Sequence, residues 1–316
     1  MKIYNNALGL VLFFSLLCGQ QLDARLEVFD GEYGEIELLN TLKARFCYIV
    51  FFKMGREHFL VKQKKSDFLR KIVSVVRDST TAHLAESFGI AHRVDVIPAH
   101  KKFPGKPRLD WPATIHTVAP GKMIKAQNSE YNRMNIKQAN IGFRREMLHW
   151  MAKHPVLTMI VALDTFSCNH DRHRGNLFYE SKTDSFCAID MDSAWKYNLC
   201  SLACKNFSAM LHDRHLRLSN KEIKTLKLYK EYLEFLIDKH HPEDTIAMYD
   251  YFAEKAGFVK GTALYTQKVE LELERNRRMI RESYKDVQRL IGILEQLIKV
   301  SKKQLKSLGY SHYYFL

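Results

Sequence analysis

The chain of 316 residues predicts an α+β fold in two lobes: a small strand-rich one through residue 121, and a larger helical one after it. Three observations carry this. Short runs of β-branched and aromatic residues crowd the chain before Pro120, helical periodicity dominates after it, and a long heptad pattern closes the chain. Residues 25–121 are assigned to the small lobe, 122–265 to the helical lobe and 266–316 to a long terminal helix. At this length the chain buries an ample core, and its 46% hydrophobic content is ordinary for a globular protein.

Arg45-Phe46-Cys47-Tyr48-Ile49-Val50-Phe51-Phe52 and Glu57-His58-Phe59-Leu60-Val61-Lys62-Gln63 read as a hairpin turning at Lys53–Arg56. Leu38–Ala44 is expected to be a loop before the first of these strands. A helix follows over Ser74–Phe88, with Val75, Val76, Leu84, Ala85 and Phe88 as its apolar side and Gly89 ending it. Arg93–Ile97 and Ala113–Val118 are two further strands, separated by a loop rich in proline and lysine and ended by Pro120-Gly121.

In the second half, Phe143–Lys153 and Val156–Phe166 have the apolar density of core helices. Lys221–His240 is another, with Ile223, Leu226, Tyr229, Leu233 and Leu236 on one side, opened by a Ser219-Asn220-Lys221-Glu222 capping box. From Val269 to about Leu308, Ile280, Tyr284, Val287, Ile291, Leu294, Ile298 and Leu305 alternate by fours and threes, with Ser301 alone interrupting them. That seam fits a long amphipathic helix laid along the large lobe, or a homodimer through a coiled coil.

The chemistry concentrates in Asp171-Arg172-His173-Arg174-Gly175-Asn176 and in Asp190, at the end of Phe186-Cys187-Ala188-Ile189. Leu177–Tyr179 and Phe186–Ile189 read as a hairpin around Ser181–Asp184, which folds Asp190 back beside Asn176. Phosphoryl transfer from a nucleotide needs such a set: one carboxylate to orient or deprotonate the attacking hydroxyl, and an amide and a second carboxylate to hold metal ions against the phosphates. His212-Asp213-Arg214-His215 repeats His170-Asp171-Arg172-His173, but Leu218 stands where the amide belongs and no strand ending in Asp follows. The second copy is read as coincidence.

Asp-Arg-His-x-x-Asn followed by Ile-Asp resembles the catalytic and metal-binding loops of the phosphatidylinositol 3-/4-kinase superfamily, over about residues 38–215. The resemblance implies a two-lobed protein-kinase-like fold, with a small β-rich lobe and a helical lobe, and an ATP-dependent phosphotransferase using Mg2+. It makes Asp171 the catalytic carboxylate, with His173 stabilising transferred charge, and makes Asn176 and Asp190 the magnesium ligands. Lys62, in Phe-Leu-Val-Lys, corresponds to the lysine on the nucleotide-binding strand, although Lys64 and Lys65 follow closely. Asp78 and Glu86 are the candidate acids for it. Asp78 is preferred, because Asp-x-x-x-Ala-x-x-Leu-Ala-x-x-x-Gly resembles the corresponding helix. The hinge that offers backbone groups to adenine falls at Thr117–Ala119, centred on Val118. Asp192 is expected to cap the segment after it. One departure stands out: Leu38–Ala44, where the phosphate-covering loop is expected, holds no glycine, and Gly31 and Gly34 come early. The acceptor is a lipid or protein hydroxyl. A kinase-shaped binding protein without turnover is the alternative, and a metal-dependent hydrolase a third reading.

Lys2 before the apolar stretch Ala7–Leu17 matches a secretory signal, since eleven residues are too few to span a bilayer. Cleavage near Gly19 or after Ala24 would send the protein into the secretory pathway; retention would make it cytoplasmic. Beyond Cys18 five cysteines remain, an odd and irregular set that defines no disulfide framework, though Cys200 and Cys204 are close enough in sequence to pair locally. The net charge of +14 favours anionic partners such as a membrane surface. No nucleic-acid-binding motif accompanies it, so no specific nucleic-acid role is assigned.

Overall fold

The computed structural model describes residues 36–43, 47–54, 56–64, 73–89, 93–99, 111–124, 145–173, 175–213 and 215–307. The signal-peptide expectation, Gly31, Gly34 and most of the proline- and lysine-rich loop lie outside them.

The α+β architecture is as expected. A five-stranded antiparallel sheet forms from β1 (Ile36–Lys43), β2 (Cys47–Met54), β3 (Glu57–Lys64), β4 (Val94–Ile97) and β5 (Ala113–Thr117), in the order β1-β2-β3-β5-β4. Between β3 and β4 runs α1 (Ser74–Glu86), and Gly89 follows it with φ +68°, a left-handed conformation that favours glycine. One expectation is overturned. Leu38–Lys43 is strand, not loop, pairing with β2 from Ile36↔Met54 to Lys43↔Tyr48. The alternation was masked by Asn40 and Thr41, and the ladder shifts register between Leu38 and Asn40.

Alternation then sorts the sheet's two faces. Val50, Phe52, Phe59, Val61, Ile97, Ala113 and Ile115 form a small core on one face. Lys62, one residue from Val61, therefore points to the opposite face, where Thr114 pairs with it and His116 approaches α1.

The helical lobe comprises α2 (Arg145–Lys153), α3 (Pro155–Phe166), α4 (Leu199–His212), α5 (Asn220–Lys239), α6 (Pro242–Lys255) and α7 (Gln267–Ser307). Ser219 and Glu222 form the capping box that opens α5, and all five residues named for its apolar side are buried. A second sheet, β6 (Lys122–Met123), β7 (Leu177–Glu180) and β8 (Ser185–Ala188), carries the expected hairpin. Strand β6, α4 and α6 were not anticipated. Gly121 enters β6 with φ +79°, and a Cβ there would lie 2.4 Å from the Tyr179 carbonyl oxygen, so only glycine allows that approach.

Helix α7, with 41 residues, is about 60 Å long. It lies along α4, α5 and α6, burying Ile280, Val287, Leu294 and Ile298 in the chain's own main core. The seam is therefore occupied within the chain, which is the long-helix reading. The apolar side of α1 joins the same core. Cys200 and Cys204 stand four residues apart on α4 as free thiols rather than a disulfide. Among the described residues no helix is long and apolar enough to cross a membrane.

Candidate active site

The site lies where the five-stranded sheet, α1 and the β7–β8 hairpin meet. From β3, Lys62 reaches three carboxylates. Its Nζ contacts Asp190 Oδ1 in a short hydrogen bond, and stands 3.4 Å from Asp192 Oδ2 and 3.9 Å from Asp78 Oδ2. Burial alone would lower the Lys62 ammonium, but the Asp190, Asp192 and Asp78 carboxylates outweigh it and hold the group well above the usual lysine range. The lysine is therefore a fixed cation.

Of the two acids considered on α1, the structure brings Asp78 to Lys62. Its Oδ1 accepts the Met191 backbone N–H at 2.9 Å, so this shorter acid grips the Asp190 loop as well as the lysine. Glu86 lies two turns away beside His83, 3.8 Å distant. Burial pushes its carboxyl up to about 7, against the pull of Arg93.

The loop after α3 is built around Arg172, a side chain that is 1% exposed. Its Nε and Nη2 donate to both oxygens of Asp164, at 2.9 Å each, while Nη1 donates to the carbonyls of Asn176 and Ile189, at 2.8 Å each. One guanidinium thus ties α3, the Asp171 loop and the Asp190 loop together, a task its planar fork suits. Asn169 Nδ2 adds a bond to Asp164, and the Asn169 side-chain oxygen accepts the Asp171 N–H at 3.3 Å.

The ladder of β7 and β8 runs on by one bond, from Ile189 N–H to the Asn176 carbonyl at 3.1 Å. That brings Asn176 and Asp190 together at the open end of the hairpin. Asn176 Nδ2 donates to the Asp171 carbonyl at 2.9 Å, which leaves its amide oxygen as the group to offer a cation. Asp190 has φ +58°, a left-handed conformation that Asp tolerates better than most residues. Asp171 is half-buried. His173 folds back on its own turn, where Nδ1 accepts the Gly175 N–H at 2.9 Å, leaving Nε2 as its only ring nitrogen for a ligand.

Two details differ from expectation. The Val118 N–H donates to the His58 carbonyl at 3.1 Å, extending the β3–β5 ladder, so it is not free for a base. Asp192, expected only to cap the segment after it, accepts from the Ser193 hydroxyl at 3.3 Å and also faces Lys62, while α4 is capped by Asn198. Asp164, Arg172, Asp192 and Arg77 were missed as site residues. The local signals were the second acid of Asp190-Met191-Asp192 and the place of Arg172 inside the Asp-Arg-His motif. The second His-Asp-Arg-His copy ends α4 at the surface, where Asp213 caps the His215 N–H.

The sheet order, the lysine–acid pair across α1, and the two loops at the lobe junction define a protein with a kinase-like fold. No known protein family matches the chain, and no curated protein does. Among solved structures it is similar to a Helicobacter pylori proinflammatory kinase, CtkA. Identity is 10%, the TM-score 0.48, and the match covers 86% of this chain and 98% of that one.

Proposed function

We propose that this chain is an ATP-dependent phosphotransferase, similar to phosphoinositide 3-/4-kinase catalytic domains, acting on a lipid or protein hydroxyl. The observation that carries the reading is the convergence on Lys62. Three carboxylates surround one ammonium in a largely buried place, an excess of negative charge that calls for further cations.

Asp190 and Asn176 offer hard oxygen donors, which suit Mg2+. Among the described residues no three His, Cys, Asp or Glu side chains form a metal cluster. A hydrolase with an all-protein metal site needs such a cluster, whereas a kinase site completes its ligand set with nucleotide phosphates and water. When bound, the metal neutralises charge on the phosphates. In this reading Lys62 binds the phosphates, Asp78 and Arg172 hold the loops in place, and Asp171 accepts the proton of the attacking hydroxyl. With the Val118 N–H engaged, the base contacts fall to the Val118 carbonyl and the Ala119 amide.

Differential scanning fluorimetry with ATP and Mg2+, followed by a turnover assay, tests the reading. Stabilisation that needs both ligands, and is lost in Asp190→Ala while the fold is kept, is the expected result. Unchanged nucleotide affinity in that variant would remove the metal assignment. A second reading, a kinase-shaped binding protein without turnover, is favoured by the β1–β2 connection, Ala44-Arg45-Phe46, which has no glycine. Binding without phosphate transfer would establish it. Export is part of the proposal as well. N-terminal sequencing of protein from the native host should find residues 1 to about 24 missing, and retention of Met1 or Lys2 would place the enzyme in the cytoplasm.

A further inference from the structure

Neighbouring residues of α1 grip neighbouring backbone groups of the Asp190 loop. Asp78 takes the Met191 N–H, and Arg77 Nε donates to the Asp192 carbonyl at 2.8 Å. Arg77 is itself 3% exposed and needs a counter-charge, which comes from the far end of the chain: Nη1 stands 3.4 Å from Glu272 Oε1 on α7. The other oxygen of Glu272 lies 3.7 Å from Arg275 Nη1, and Arg275 Nη2 donates to the Lys196 carbonyl at 2.9 Å. One buried carboxylate therefore serves two arginines, each holding one end of the segment 192–196.

We propose that Glu272 is a positioning residue for the whole segment 190–196, so that the start of the C-terminal helix sets the placement of Asp190 and Asp192 from outside the two loops. The argument rests on the reading of Asp190 and Asn176 as the metal pair. A carboxylate shared between two guanidiniums favours the placement of both, through a hydrogen bond at 3.4 Å to Arg77 and an ion pair at 3.7 Å to Arg275, while each arginine spends another N–H on its carbonyl. Removing that charge frees both ends of the segment at once. Asp190 also keeps its left-handed conformation only while the loop around it is held. Asp171 itself makes none of these contacts; the segment meets its loop through the Ser193 carbonyl and His170, so the larger effect falls on metal binding rather than on proton transfer.

The test uses full-length wild type, Glu272→Gln and Arg275→Ala. In Glu272→Gln, amide exchange over residues 189–197 should quicken at least tenfold, while α3 and α5 stay protected. Half-saturating Mg2+ for turnover should rise at least fivefold, with kcat at saturating Mg2+ within twofold of wild type. Unchanged exchange in that segment would overturn the inference, and so would a fall in kcat with an unaltered Mg2+ requirement. Should Glu272→Gln not fold, Arg275→Ala carries the same readouts, because Arg275 sits half-exposed at the outer end of the brace. Absence of turnover in wild type would refute the kinase reading. The exchange measurement would then decide the role of Glu272 alone.

Discussion

His-Asp-Arg-His occurs twice in this chain, and the described residues of the two copies stand in different surroundings. At 170–173 the tetrapeptide follows a buried helix and precedes a hairpin. Its arginine is closed in by Asp164 and two carbonyls, and its histidine at 170 meets the Ser193 carbonyl. At 212–215 it closes the exposed end of α4, and its aspartate satisfies a local N–H two residues on. Four identical residues become either a structural hub or a helix terminus, according to what surrounds them. The downstream amide and the apolar strand ending in Asp set the first copy apart. The tetrapeptide does not.

The sharpest way to break the comparison is at its arginine. Arg172→Met leaves the Asp164 carboxylate buried without its partner, which should cost about 3–5 kcal/mol, read as a lower denaturation midpoint at constant m-value. Adding Asp164→Leu should recover much of that stability, because the unpaired charge is gone, while turnover stays low because the loops have lost their common tie. Full recovery of turnover in the double variant would show that Arg172 matters only as a counter-ion.

Asp171→Asn comes next. It should reduce turnover by at least about 100-fold, the range of positioned acid–base groups, with ATP affinity preserved. An active Asp171→Asn enzyme would transfer the chemistry to some other group.

A smaller effect is expected from His170. Burial lowers its imidazole, Lys196 adds to this, and Asp171 and the Ser193 carbonyl act against both. A lowered value in the folded state means that the unfolded chain binds more protons. The stability from His170 is therefore complete above the unfolded value of about 6.5 and is lost as the pH falls below it. Urea denaturation at a series of pH values should show this acid limb, and His170→Gln should flatten it. An unchanged limb in the variant would assign the loss to other groups.

At the small end, Asp213→Ala should change stability by no more than about 0.5 kcal/mol and leave turnover unaltered. Assayed beside Asp171→Asn, it gives the direct contrast. If Asp213 proves essential and Asp171 dispensable, the kinase reading built on the first copy is wrong.

Much of the fold was legible in the sequence, for local reasons. Strand β3 alternates, so Lys62 was bound to face away from Val61. Ser219 and Glu222 lie within one turn, so their capping box could be read directly. Helix α7 repeats its apolar residues every three or four positions, which is a property of the helix itself. Strand β1 was missed because Asn40 and Thr41 interrupt its apolar pattern and its pairing depends on β2. Helices α4 and α6 were missed too, although Asn198 and Pro242 stand at their starts.

The sequence by itself determined what is local: where most of the helices and strands lie, which face of those is apolar, and that Asp171, Asn176 and Asp190 share one loop-and-hairpin unit. Only the tertiary structure decided which acid reaches Lys62, that Asp192 joins it, that Arg172 binds two loops, and that Glu272 stands behind Arg77. Asp78 and Met191 are 113 residues apart, and Arg77 and Glu272 are 195. At such separations no periodicity links the partners. A buried charge takes whichever counter-charge the packed core brings within reach, and that choice is made when the lobes and helices close on one another.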